Sequence, residues 1–397
     1  MPPSALVRQT RPFMVVYVVW HPDFEHGQAI ADALFSHYRR DHYTNVAGGV
    51  GLSVLFRTEA TSPDGVPIPI DLNDADSSAI VVLVERNLLS TPEWLDYVSD
   101  LANDASAAGL SARVIPVTVD RGEPELRGSL ADLQRVGLGP WDPSTPDQSL
   151  QLITQLTYQF CRMLRHYLAR LEHEHATPDD ALLQYLKPVS VFLSHSKHDD
   201  DGAPIARAMR NRLTNEDDFA TFFDVVSIPA GLEFEKAIDA YVRVSALVAI
   251  QTDSFASREW CRREVLTAKR ANVPIVVANC LADVEDRAFP YLGNVPTVRM
   301  DPANDRRITH VVNRLLDEVL KDFLWRCRVA SVTPHAEDVF VPRPPELLTL
   351  ATLVSPATCR AIIYPDPPLG ATESALFAAI APQVTLLSMT QWLAAQR

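Results

Sequence analysis

Paired-cysteine patterns, metal-ligand spacings and long apolar runs are all missing from this 397-residue sequence. It holds five cysteines (Cys161, Cys261, Cys280, Cys327 and Cys359), odd in number and scattered without a CxxC pair. That usage fits reduced thiols in a cytoplasmic setting and leaves no disulfide framework or zinc site. No spacing of His, Cys and acidic residues suits a metal ion, so no metal ligand is assigned. The start MPPSALVRQTRP has no leader-peptide shape. The most apolar early run, Phe13 to Trp20, is far too short to span a bilayer. Basic residues are outnumbered, 36 against 50 acidic, for a net charge of −14, which argues against a nucleic-acid backbone as the main ligand. At 47% hydrophobic the chain has ample material for buried cores, and its length suits two or three domains.

Short apolar runs alternate with amphipathic stretches. Phe13–Trp20, Leu52–Phe56, Ala79–Val84 and Arg113–Val119 read as strands, with helices over Gly27–Arg40 and Pro92–Ala107. Thr61–Asp76 and most of Arg121–Asp147 read as loop. Ser149–His173 carries one apolar stripe (Leu152, Leu156, Phe160, Met163, Leu164, Tyr167, Leu171) and reads as a long helix. A polar link, His175–Asp180, leads to a second alternating block: strands at Val189–Ser194, Ala220–Asp224, Ala246–Ile250 and Pro274–Asn279, and helices at Gly202–Leu213, Phe234–Val244 and Arg307–Phe323. Strand–helix alternation of this kind implies parallel, doubly wound sheets.

The two blocks read as one unit used twice. Trp94 lies ten residues beyond Val84, and Trp260 ten beyond Ile250, each after a serine (Ser90, Ser257). Aligned on the tryptophans, Val98 stands where the second block has Glu264, so the first block lacks that carboxylate.

Ser245–Lys269 organises the second block. A buried strand runs through a polar turn into a helix on which Trp260 and Glu264, four apart, share a face. A helix starting just beyond a parallel strand's carboxyl end marks the usual ligand crevice of open α/β sheets. Three boxes then carry a resemblance: Val191-Phe-Leu-Ser-His-Ser-Lys-His-Asp199; Phe222-Phe-Asp224 with Ile228-Pro-Ala-Gly231; and Ser257-Arg-Glu-Trp-Cys-Arg-Arg-Glu264. Pro188–Leu324 resembles Toll/interleukin-receptor (TIR) domains of the bacterial NADase type, whereas the first block resembles them weakly and lacks the boxes.

The resemblance implies five parallel strands wrapped by helices and cleavage of NAD+ at its nicotinamide–ribose bond. It implies Glu264 as the catalytic carboxylate, Ser194, Lys197, Phe222 and Trp260 lining the pocket, and Pro229 and Gly231 in an assembly loop. Ser196 and Lys197 stand where some animal NADases carry two arginines. NAD+ is then the substrate and no cofactor is implied. The chemistry suits the residues. Nicotinamide leaves as a neutral ring, and positive charge spreads over the ribose C1′ and ring oxygen, as in glycoside hydrolysis. A fixed carboxylate stabilises that charge, and aromatic faces hold flat rings.

Blander readings stand beside these. Glu264 could be a surface charge favoured by the helix dipole, and Trp260 a core residue. Cys261 reads as a small buried hydrophobe. Asp199–Asp201 reads as a solvated loop, because the lysine of a receiver-type acidic pocket is missing at Asn279-Cys280. His173-Glu174-His175 reads as an exposed helix end, and Gly48–Gly51 as a turn before a strand.

The sequence thus specifies an α/β protein of two flavodoxin-like, TIR-like parallel-sheet domains in tandem, 1–180 (degenerate) and 181–328, with a βαβα extension over 329–397. That extension is too small for a core of its own and is expected to pack on a TIR-like block. The expected role is bacterial immune or anti-phage signalling by NAD+ cleavage, with linear or cyclic ADP-ribose as product. Expected partners are further copies of the chain, through the TIR domains, and a sensor or activator protein; neither membrane nor direct nucleic acid is among them. A non-catalytic scaffold and a nucleoside N-glycosidic transferase are the alternatives.

Overall fold

The structure, a computed structural model, describes residues 11–39, 49–59, 65–120, 128–142, 145–172, 178–197, 202–215, 223–225, 240–243, 245–282, 289–301, 306–353 and 359–396. The chain divides into two compact units, Met1–Tyr185 and Leu186–Arg397.

The first unit is built on strands β1 (Val15–Val19), β2 (Ser53–Arg57), β3 (Ser78–Val84), β4 (Ala112–Thr118) and β5 (Val136–Gly137), in the order β2-β1-β3-β4-β5. Every pairing is parallel. β1 and β3 are buried along their whole length, as expected of strands covered on both faces. The helices are α1 (Gly27–Tyr38), α2 (Arg86–Ser90), α3 (Pro92–Ala107) and α4 (Pro146–Glu172). α3 lays Trp94, Val98, Leu101, Ala102 and Ala105 on the face that carries Tyr17, Val19, Ile80, Val82 and Val84. Helix α5 (Pro178–Leu186) reaches the boundary between the units.

In the second unit β6 (Val189–His195), β7 (Phe223–Val225), β8 (Ala246–Gln251), β9 (Ile275–Asn279) and β10 (Thr297–Arg299) form a sheet of order β7-β6-β8-β9-β10, again parallel throughout. Numbered within each sheet, both orders read 2-1-3-4-5, the flavodoxin-like arrangement. The helices α6 (Gly202–Asn215), α7 (Glu259–Arg270) and α8 (Arg306–Ala330) belong to this unit. A third, three-stranded parallel sheet, β11 (Asp338–Phe340), β12 (Ala361–Tyr364) and β13 (Thr385–Ser388), completes it with α9 (Leu347–Leu353), α10 (Ala371–Ile380) and α11 (Met389–Ala395). α8 serves both sheets: it lies against β9 and β10, and Trp325 and Val329 near its end join the core under β12 and α11.

Several elements depart from the sequence reading. The stretch read as loop over Arg121–Asp147 contains β5, and the polar link ends in α5. α8 continues seven residues past Phe323, because its apolar spacing carries on into the third sheet. The extension holds β11 and α9 ahead of the expected βαβα. All the missed strands are two or three residues long, too short to show an apolar run. Among the described residues no helix is long and apolar enough to cross a membrane.

Candidate functional site

The strand order of the second sheet reverses between β6 and β8, the place where open α/β sheets take ligands, outside the carboxyl ends of the strands. Registration along the pair sets Ser194 beside Ala249 and His195 beside Ile250. Phe192, Leu247, Ala249, Ile275 and Val277 face α7. By strand alternation Ser194 faces the same side, one residue from the end of its strand, and His195 faces away.

α7 buries Cys261, Val265 and Ala268 against that face, a stripe at helical spacing. Glu264 falls inside the stripe, three residues after Cys261. It is therefore 7% exposed and not a surface charge. The Ser194 hydroxyl donates to Glu264 Oε2 at 2.5 Å, and no other hydrogen bond to this carboxylate occurs among the described residues. Burial pushes the Glu264 carboxyl up to about 7; the Ser194 hydrogen bond and the Lys197 ammonium pull the other way.

Trp260, at the flank of the stripe, is 41% exposed, which removes the core reading. The Arg263 guanidinium stands 5.7 Å from its ring centroid, a cation–π distance. Lys197 is exposed just beyond β6. Cys261 is buried, as the bland reading had it. A second hydroxyl pair lies at the same edge: Ser254 Oγ donates to the buried Ser196 Oγ at 2.6 Å. Ser254 was not singled out from the sequence, where a serine in a polar turn carries no signal of its own. Phe222, Pro229 and Gly231 lie outside the described residues, as do Asp199–Asp201, His173–His175 and the loop Ile228–Gly231.

The first unit has a different arrangement at the corresponding place, and its register corrects the tryptophan alignment. Val119 N–H donates to Val84 O as Cys280 N–H does to Gln251 O; Leu138 N–H donates to Thr118 O as Met300 N–H does to Asn279 O. Val84 therefore corresponds to Gln251, not to Ile250. Fourteen residues further on, Val98 matches Val265, and both are fully buried against their sheets. Trp94 then takes the place of Cys261, and Tyr97 that of Glu264. Val19, which pairs with Val82 as Ser194 pairs with Ala249, takes the place of Ser194. Tyr97 gives its hydroxyl to Ile68 O and Trp94 its indole N–H to Gly65 O, so the loop after β2 closes this corner. Burial pushes the Tyr97 phenol up to about 12, leaving it neutral where Glu264 can ionise.

The second unit thus contains a doubly wound α/β sheet with a buried carboxylate at its topological switch point. Residues 191–312 match the family model described as TIR domain, and the chain carries a TIR domain there. No curated protein matches the chain. A solved structure titled as that of the glycotransferase of kitacinnamycin aligns at 13% identity, covering 81% of this chain and 96% of that one with a TM-score of 0.22; a likeness that low carries no argument.

Proposed function

We propose that the TIR domain hydrolyses NAD+ at the nicotinamide–ribose bond, with Glu264 as the catalytic carboxylate. The observation that carries this reading is a carboxylate in the apolar stripe of α7, held by one serine hydroxyl at the carboxyl end of the neighbouring strand. A purely structural glutamate at that position costs desolvation and returns a single hydrogen bond. A catalytic one is held where positive charge develops.

In this reading the C1′–N bond breaks with its electron pair going to nicotinamide, which leaves neutral. Charge accumulates on C1′ and the ring oxygen beside the Glu264 carboxylate. Water then adds to C1′ and its proton goes to solvent, giving ADP-ribose, nicotinamide and H+. An intramolecular hydroxyl in place of water gives the cyclic product. Ser194 fixes the carboxylate's direction and favours its charged form. Trp260 offers a half-exposed ring for stacking, worth roughly 0.5–1.5 kcal/mol beyond area burial. Lys197, exposed just beyond β6, is the cation this reading offers to a phosphate.

A cytoplasmic role in immune signalling through assembled TIR domains goes with this reading. Nicotinamide release from NAD+ by the full chain, measured from dilute to concentrated protein, tests it. Specific activity is expected to rise with concentration as copies associate. Flat specific activity from a species that stays monomeric by light scattering counts against assembly, and no release in any assembled state leaves a scaffold.

A further inference from the structure

The carboxyl-terminal end of α7 is tied to a segment beyond the family-matched residues. Lys269 closes the helix with its side chain only 3% exposed. Its ammonium donates to both oxygens of Glu346, at 2.7 and 2.9 Å, and to Gly293 O at 2.8 Å. All three of its protons are thereby placed. Three residues before Glu346, Arg343 donates to Val273 O just past the helix and lies in the field of Glu318 and Asp322 on α8 and of Glu346 itself. Asn294, beside Gly293, donates to Pro344 O. The segment's other end is fixed to the third sheet, Val341 N–H donating to Ile363 O. Residues 341–346 thus bind the end of α7, the turn at 293–294 and β12 together. The corresponding helix of the first unit has Ala102 at the Lys269 position, by the register given above, so the tie is peculiar to the helix that carries Glu264.

We propose that residues 341–346 are a strap that fixes the placement of α7, and through it the Glu264 carboxylate, with Lys269 and Glu346 as its positioning pair. Glu264 lies five residues before Lys269, less than two helical turns. A slackened helix end therefore moves the carboxylate relative to Ser194, whose strand makes no hydrogen bond with the strap among the described residues. The pair lies toward the carboxyl-terminal end of α7, whereas Glu264 sits nearer the helix start. The Lys269 side chain is buried and that of Glu346 29% exposed, so removing Glu346 leaves a buried ammonium without its counter-charge, and removing Lys269 frees the strap's carboxylate toward solvent. The functional half of the proposal rests on Glu264 being the catalytic carboxylate.

The test uses the full chain with Glu346→Gln, Lys269→Met and the double variant Lys269→Met/Glu346→Met, in which two apolar side chains of similar length replace the ions. Each is assayed for kcat and KM of nicotinamide release well below its Tm, for amide hydrogen exchange across 259–270, and for the pH at which the Glu264 carboxyl titrates by NMR. The single variants are expected to lose about ten- to a hundredfold in kcat with KM changed less than twofold. Exchange in 259–270 should quicken while that in 202–215 does not, and the Glu264 titration should move. The double variant should recover most of kcat, because the strap docks again. Singles with lowered Tm but unchanged kcat and unchanged Glu264 titration overturn the proposal and leave the pair as ordinary packing. If the parent releases no nicotinamide, the catalytic reading falls. Exchange and titration then decide the strap by themselves, and values equal in parent and single variants overturn it.

Discussion

Ser194 and Glu264, seventy residues apart in the chain, meet in a buried 2.5 Å hydrogen bond at the carboxyl edge of the second sheet. Burial and this bond act in opposite directions on the protonation of Glu264. Desolvation raises the carboxyl to about 7, and the serine hydroxyl, a donor to the charged form, restrains the rise.

A pH profile follows. The reaction needs the carboxylate, so kcat/KM for nicotinamide release should fall as pH drops through about 7. Ser194→Ala removes the donor and should move that limb upward by about one unit, the worth of one hydrogen bond to a charged group. Initial rates between pH 5.5 and 9 check this; a limb that stays in place in Ser194→Ala dissociates Ser194 from the carboxylate's ionisation.

Stability should change with pH in the opposite sense. The carboxyl is raised from 4.5 to about 7 in the folded chain, so between those values the native state holds a proton that the unfolded chain has lost. The stabilisation from Glu264 is whole below about 4.5 and is lost as pH rises through about 7. Glu264→Gln is neutral throughout. Its stability relative to the parent should therefore increase across that window, by on the order of 3 kcal/mol. Urea denaturation at pH 5 and pH 8 reads the difference directly. A constant difference at both pH values would show that Glu264 does not titrate in the window.

Much of this site was legible in the sequence, and the limits have physical causes. Buried strands and the α7 stripe announce themselves by apolar spacing, so β6, β8 and α7 were found within a residue or two. Glu264 could be placed on the helix but not assigned to the stripe, because a glutamate three residues after Cys261 looks polar whichever face it takes. Its burial comes from the sheet it meets. The repeat was visible as strand–helix alternation, yet its register was not. Trp94 and Trp260 suggested an alignment that the backbone hydrogen bonds of β3 and β8 displace by one residue. Side-chain period in a strand is two, so a slip of one exchanges the faces, and only pairing partners settle it. The Lys269–Glu346 contact joins residues seventy-seven apart, which no local pattern reveals.

The corrected register makes its own claim about the first unit. Val98, fully buried against β3, has no room for a charge. Val98→Glu should destabilise by about 3–5 kcal/mol, in the range of an uncompensated buried charge. Tyr97, whose hydroxyl already reaches the edge at Ile68, should accept glutamate at roughly 1–2 kcal/mol, mainly the lost hydrogen bond and ring packing. Thermal and urea unfolding of the two variants at pH 8 separate the registers. Equal tolerance of glutamate at both positions would restore the tryptophan alignment.

The most direct measurement is nicotinamide release from NAD+ by Glu264→Gln and Glu259→Gln beside the parent, under conditions where the parent turns over. Glu259 opens the same helix but lies exposed in its first turn, so it serves as the matched control. Turnover by Glu264→Gln is expected to fall about 10²–10³-fold, the scale of losing one preorganised electrostatic group, while Glu259→Gln keeps most of its activity. Parental turnover by Glu264→Gln would contradict the account, and with it the assignment of the buried Ser194–Glu264 pair to catalysis.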